Sequence, residues 1–186
     1  MSSGITRREA LVGIGGLAVG AALLPMIEPL GCAATKRPNI IVILSDDQGY
    51  GEVGCYGGKV PTPNLDLLAK HGVRLTQFYV STPLCSPTRG SLMSGMYPQR
   101  TGVVRLVEYQ DDNAYGLPTG IVSLPECLKA AGYNTGMVGK WHLGFGSKLR
   151  PRARGFDEYY GTLCGSTDYY AHTKERPPND KYMYRR

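Results

Sequence analysis

No C-x-x-C pair occurs among the five cysteines, whose spacing is wide and irregular (Cys32, Cys55, Cys85, Cys127, Cys164). Neither a zinc site nor a tight disulfide framework is indicated. Charge is also sparse: Asp, Glu, Lys and Arg make up 19% of the 186 residues, against 42% hydrophobic residues, Gly 25 and Pro 13. That balance argues for one loop-rich globular domain rather than disorder. The net charge of +6 is carried by scattered residues, with loose clusters only from Lys148 to Arg154 and at Arg185 and Arg186. No basic helix or RNA-reading aromatic motif accompanies them, so no nucleic-acid partner is expected. Internal repeats are missing too. The longest apolar run, Leu11 to Leu24, is too short and too rich in glycine to read as a membrane span.

That run follows Arg7 and Arg8, which is the charged-then-apolar layout of an export signal. Thr6-Arg7-Arg8 with Leu11 resembles a twin-arginine signal, read by a translocase that carries folded proteins. Leu30-Gly31-Cys32 resembles a lipoprotein cleavage site, where Cys32 is either the lipidated residue or an ordinary residue beside a conventional cut. The expected division is an export signal over 1–32 and one folded region over 33–186. The protein is expected to be periplasmic, extracellular or lipid-anchored at a bacterial cell envelope. Contact with a membrane is expected only through a lipid on Cys32.

From Arg37 the pattern alternates strands and helices. "NIIVILS", Asn39 to Ser45, reads as a buried parallel strand that stops at Asp46-Asp47. "NLDLLAKHG" predicts a short helix with Leu65, Leu68 and Ala69 on one face, closed by Gly72. "VRLTQFYVS" reads as a second strand, and Thr88 to Met96 as a second helix. Ser123, Pro125, Glu126 and Gly132 spell out a capped helix, with a strand following in "YNTGMVGK". This order predicts an α/β fold, a mostly parallel central sheet with flanking helices. Asp46, Asp47 and Lys140 then fall at carboxyl ends of strands, where functional residues collect. Cys127 reads as a small buried hydrophobe. Beyond Gly144 neither strand nor helix is predicted.

Adjacent carboxylates at a strand end suit a hard cation, Ca²⁺ or Mg²⁺, although a solvated acidic loop has the same spelling. Arg89 beside a helix start suits an anionic substrate. Lys140 and His142, in "GKWHLG", add a cation and a titratable acid or base. Taken alone, the same triplet reads as a structural histidine and a surface lysine.

Together these segments resemble the type I sulfatases. "LCSPTRGSLMSG" is similar to the C-x-P-x-R signature in which the cysteine, here Cys85, is oxidised to Cα-formylglycine; Ser94 is its one small departure. "GYNTGMVGKWHL" matches the second signature of the family, and "IIVILSDDQGYGEVGCYGG" and "GFDEYYG" resemble its opening loop and a following segment. The resemblance runs from about Pro38 to Tyr170.

It implies an alkaline-phosphatase-like fold, here incomplete at the C-terminal end. It further implies hydrolysis of a sulfate ester by the hydrated aldehyde made from Cys85, whose remaining hydroxyl then expels sulfate. Asp46, Asp47 and modified Cys85 would bind Ca²⁺, with Mg²⁺ the weaker fit. Arg89 would hold the modified residue in place, Lys140 would contact the sulfate, and His142 would act as base. The implied partners are a formylglycine-generating maturation enzyme and a sulfated small molecule or carbohydrate.

Family chains are usually longer, and their late part supplies a further Asp and Asn to the metal plus a second His and Lys. His172, Asp168 and Asp180 match no such motif. The chain therefore reads as the first part of a sulfatase, ended early, with an incomplete calcium shell and an unpaired sheet edge. Two other readings share the motifs: a phosphate or phosphonate monoester hydrolase using the same cysteine, and an exported lipoprotein without activity.

Overall fold

The computed structural model describes residues 37–108, 114–166 and 183–184. The export segment 1–32, Cys32, Asp168, His172 and Asp180 lie outside these residues. Met1–Leu44 and Ser45–Arg186 are separate compact units.

In the first unit, Ile40 to Leu44 form no strand and are exposed, Ile41 by 83%. The expected buried strand is therefore corrected: a strand exists by pairing, and no described segment pairs with this one. The same holds for 73–81 in the second unit, also irregular, where Val73 is 85% exposed.

Among the described residues, four helices form where the sequence supplies starts and stops. Helix α1, Pro63–His71, begins on Pro63 at its first position. Its Asp66 carboxylate receives the Cys55 amide at 2.7 Å and the Thr62 hydroxyl at 3.0 Å, which fixes the preceding short 3₁₀ turn Gly54–Tyr56. Leu65 and Leu68, expected on one face, are both exposed. Helix α2, Cys85–Ser94, starts three residues before the predicted Thr88 and ends on Gly95, whose φ of 68° is left-handed. Helix α3 is the single turn Pro98–Thr101. Helix α4, Leu124–Ala130, carries the predicted capping box: the Ser123 amide donates to Glu126 Oε2 at 2.6 Å, and the Glu126 amide donates to Ser123 Oγ at 3.5 Å. Cys127 is exposed rather than buried, since this seven-residue helix buries only Pro125.

The sheet has the order β1-β2-β3. Strand β1, Gly136–Val138, pairs in parallel with β2, Glu158–Thr162, and β2 pairs antiparallel with β3, Met183–Tyr184. The α/β class predicted from the sequence is what forms. Strand β2 and the 3₁₀ turns Ser147–Leu149 and Pro151–Arg154 lie beyond Gly144, where no regular structure was predicted.

The core packs Val103, Val107, Leu117 and Leu143 against Trp141 and Leu163. Trp141 meets Phe156 edge to face at 6.2 Å, and its indole N–H donates to the Leu149 carbonyl at 2.9 Å. Arg154, 1% exposed, braces the loop before α4: its guanidinium donates to the carbonyls of Leu117 (3.0 Å), Pro118 (2.8 Å) and Ile121 (2.5 Å). Glu126 balances its charge at 3.5 Å.

Candidate active site

Three of the predicted residues meet at one carboxylate. Asp46 Oδ2 lies 2.7 Å from Lys140 Nζ and 3.7 Å from Arg89 Nη2. Arg89, only 9% exposed, also donates from Nη1 to the Lys140 carbonyl at 2.5 Å, so a single guanidinium orients both the backbone of Lys140 and the carboxylate its ammonium reaches. The hydrogen bond from Lys140 is the main reason the Asp46 carboxyl is held below its ordinary pKa, with Arg89 and His142 adding to it. Burial lowers the pKa of Arg89, opposed by the charges of Asp46 and Cys85. A guanidinium stays cationic through such a shift.

Cys85 is the first residue of α2 and half-buried, with Arg89 one turn later on the same helix. Ser86, fully buried, accepts the Val107 amide at 3.0 Å and ties the start of α2 to the core.

Lys140 and His142 follow β1. The Gly139, Trp141 and His142 amides donate to the carbonyls of Tyr160, Thr162 and Leu163, continuing the β2 edge past the end of the strand. Tyr159 Oη donates to the Gly139 carbonyl at 3.2 Å. The stretch is thus fixed from one side by main chain and from the other by Arg89.

His142 is 4% exposed and its pKa is pushed down to about 4, chiefly by burial and then by Lys140 and Arg89, against the opposing Val107 carbonyl and Asp46. It is a neutral imidazole at pH 7, and its Nδ1 has no hydrogen-bond partner among the described residues. A histidine buried neutral stabilises the fold above its unfolded pKa of about 6.5 and progressively less as the pH falls toward 4, where both states bind the proton. The difference is about 3 kcal/mol. Urea midpoints measured from about pH 4 to pH 7 should therefore fall on acidification more steeply for the native chain than for His142→Gln.

Asp47 and His142 are the non-glycine residues with left-handed backbone among those described, at φ 53° and 60°. Such conformations are costly and gather at functional sites. Asp47 is exposed and takes no part in the contacts around Asp46. Two carboxylates are the right donor type for Ca²⁺ but fall short of the six to eight oxygens it takes. Among the described residues no three His, Cys, Asp or Glu side chains cluster as a metal site, and Asp46 faces two cations. The described residues alone do not make the predicted calcium site, and the chemistry of the remaining side chains stands without it.

The sequence pointed to Asp46, Cys85, Arg89, Lys140 and His142. It did not point to Ser86, Val107 or the 162–165 backbone that surrounds them, because main-chain contacts leave no signature in residue type.

A family model described as sulfatase matches residues 38–185. The chain is 46% identical over 146 residues to arylsulfatase J of Mus musculus, covering 77% of this chain and 24% of that protein. It is 38% identical over 159 residues to the arylsulfatase of Klebsiella aerogenes, covering 81% and 34%. The solved structure of Ps i-CgsB in complex with k-i-k-neocarrahexaose superposes with a TM-score of 0.71 at 40% identity, covering 75% of this chain and 31% of that one. The chain thus spans about a quarter to a third of the length of the curated relatives it matches.

Proposed function

Because the chain belongs to the sulfatase family, we propose that the site around Asp46, Arg89 and Lys140 binds a sulfate ester for hydrolysis, with Cys85 as the precursor of the nucleophile. The observation that carries this reading is the convergence of Lys140 and Arg89 on Asp46, from segments far apart in the chain, with Cys85 one helical turn from Arg89. Two cations and one carboxylate leave one positive charge, which matches the single negative charge of a sulfate monoester. Lys140, with its side chain 15% exposed, gives up little further hydration when it receives a sulfate oxygen. Arg89 keeps that ammonium in register through the Lys140 carbonyl.

Oxidised to Cα-formylglycine by a maturation enzyme, Cys85 would supply a hydrated aldehyde oxygen to attack the sulfur. His142, neutral at pH 7 with Nδ1 unpartnered, is suited to take a proton at that atom as sulfate departs. Ca²⁺ would be held by Asp46 and Asp47 once further oxygen ligands join them, and would offset charge on the sulfate oxygens. Arylsulfatase relatives and a neighbour solved with k-i-k-neocarrahexaose support a sulfated small molecule or carbohydrate as substrate. Export through residues 1–32 belongs to the same proposal and puts the protein at a bacterial cell envelope. A folded-protein route would let Cys85 be oxidised before transport.

The test is the mass of the tryptic peptide from Leu75 to Arg89 after co-expression with a maturation enzyme, followed by parallel assays on an aryl sulfate and an aryl phosphate. Replacement of the thiol by an aldehyde, with faster sulfate turnover, is expected. An unchanged cysteine beside a matured control sulfatase, or faster phosphate turnover, would overturn the reading.

A further inference from the structure

The His142 ring lies against main chain with no room to spare. A Cβ placed on Gly165 would come 2.5 Å from His142 Cε1, 2.8 Å from Nε2 and 3.2 Å from Nδ1, the first two closer than real carbon contacts allow. The φ of Gly165 lies outside the left-handed region, so it is space rather than backbone conformation that requires glycine here. The same strip of chain accepts the His142 amide through the Leu163 carbonyl at 3.2 Å and the Trp141 amide through the Thr162 carbonyl at 2.9 Å. The Val107 carbonyl favours the protonated imidazole electrostatically, and Val107 is itself anchored by Ser86 at the start of α2. The imidazole therefore stands directly against the Gly165 backbone, and a side chain there would force the ring to shift.

We propose that Gly165 is a positioning residue for His142: its bare Cα sets the distance at which the imidazole stands from the 162–165 backbone, and so holds Nδ1 in place. This rests on the proton-accepting role of His142 put forward above, yet the two can fail separately. The group that acts is His142; Gly165 touches no substrate.

The experiment is a double-mutant cycle on the full chain with Gly165→Ala, His142→Ala and the pair. Thermal melting gives one readout and the ¹H–¹³C resonance of His142 Cε1 another, with aryl sulfate turnover of the matured protein as a third. In the native background Gly165→Ala should lower the Tm by roughly 5 °C, as expected for overpacking by one methyl group. In the His142→Ala background, where the ring it would strike is gone, the same substitution should cost less than half as much. The Cε1 resonance should move, and the nuclear Overhauser contact between Gly165 Hα and His142 Hε1 should be found in the native chain. Turnover should fall about 100-fold in kcat with KM nearly unchanged.

Equal Tm losses in both backgrounds, or an unmoved Cε1 resonance, would overturn the proposal. A Gly165→Ala chain too unstable to assay still reports through the cycle, since the double variant is then expected to fold. A displaced ring with undiminished kcat would leave the positioning role standing and remove His142 from the proposed chemistry.

Discussion

Replacing Cys85 with alanine is expected to abolish sulfate ester turnover, a loss on the order of 10⁴-fold or more, while the melting temperature stays nearly where it was. The asymmetry follows from where Cys85 sits. It is the first residue of α2, half-buried, and its side chain makes none of the described hydrogen bonds, so the fold asks little of it. Alanine is the best helix former and keeps the first turn. Ser86, one residue on, retains the bond to the Val107 amide that anchors this end of the helix. Turnover of an aryl sulfate beside a thermal melt measures both halves. Turnover within tenfold of the native rate would place the nucleophile elsewhere.

At Arg89 fold and function should suffer together. Arg89→Ala removes the bond to the Lys140 carbonyl and leaves Lys140 as the only cation on Asp46. Loss of the guanidinium's hydrogen bond to the Lys140 carbonyl costs about 2 kcal/mol, and misplacing Lys140 should reduce turnover about 10²- to 10³-fold. Arg89→Lys separates charge from shape. An ammonium restores the charge but presents no planar fork that can serve a carbonyl and a carboxylate together. Urea unfolding should then recover most of its midpoint while turnover remains low. If Arg89→Lys turned over at the native rate, charge alone would be what the site requires.

Some elements were legible in the sequence because local chemistry fixes them. Ser123, Pro125 and Glu126 spell a helix start without reference to anything distant, and α4 begins where they put it. Gly72 closes α1 where the sequence put it, whereas α2 stops at Ser94 on Gly95, inside the expected Thr88 to Met96 span. The start of α2 was placed too late because no Ser, Thr, Asp or Asn caps the helix at Leu84.

The two β-branched runs at 39–45 and 73–81 have strand composition, but composition supplies no partner, and pairing is what makes a strand. Strand β2 was missed for the opposite reason: "EYYGT" lacks an alternating pattern, and its place is set by register with β1. The site followed the same division. Charged residues of unusual spacing were visible as Asp46, Arg89 and Lys140, whereas their mutual distances depend on β2 and on a guanidinium reaching across 51 positions of sequence.

Arg154 shows how such long reaches shape what a chain can tolerate. Its guanidinium grips the carbonyls of Leu117, Pro118 and Ile121, groups that every amino acid possesses. Apart from Leu117 and Ile121, which pack in or against the core, the loop it braces is consequently indifferent to spelling and strict about count: side chains at 118–120 can drift, while adding or deleting a single residue between 117 and 121 would shift one carbonyl out of the fork and strand a buried charge. Variation tolerated by substitution and refused by insertion is the imprint this one arginine would leave on the loop.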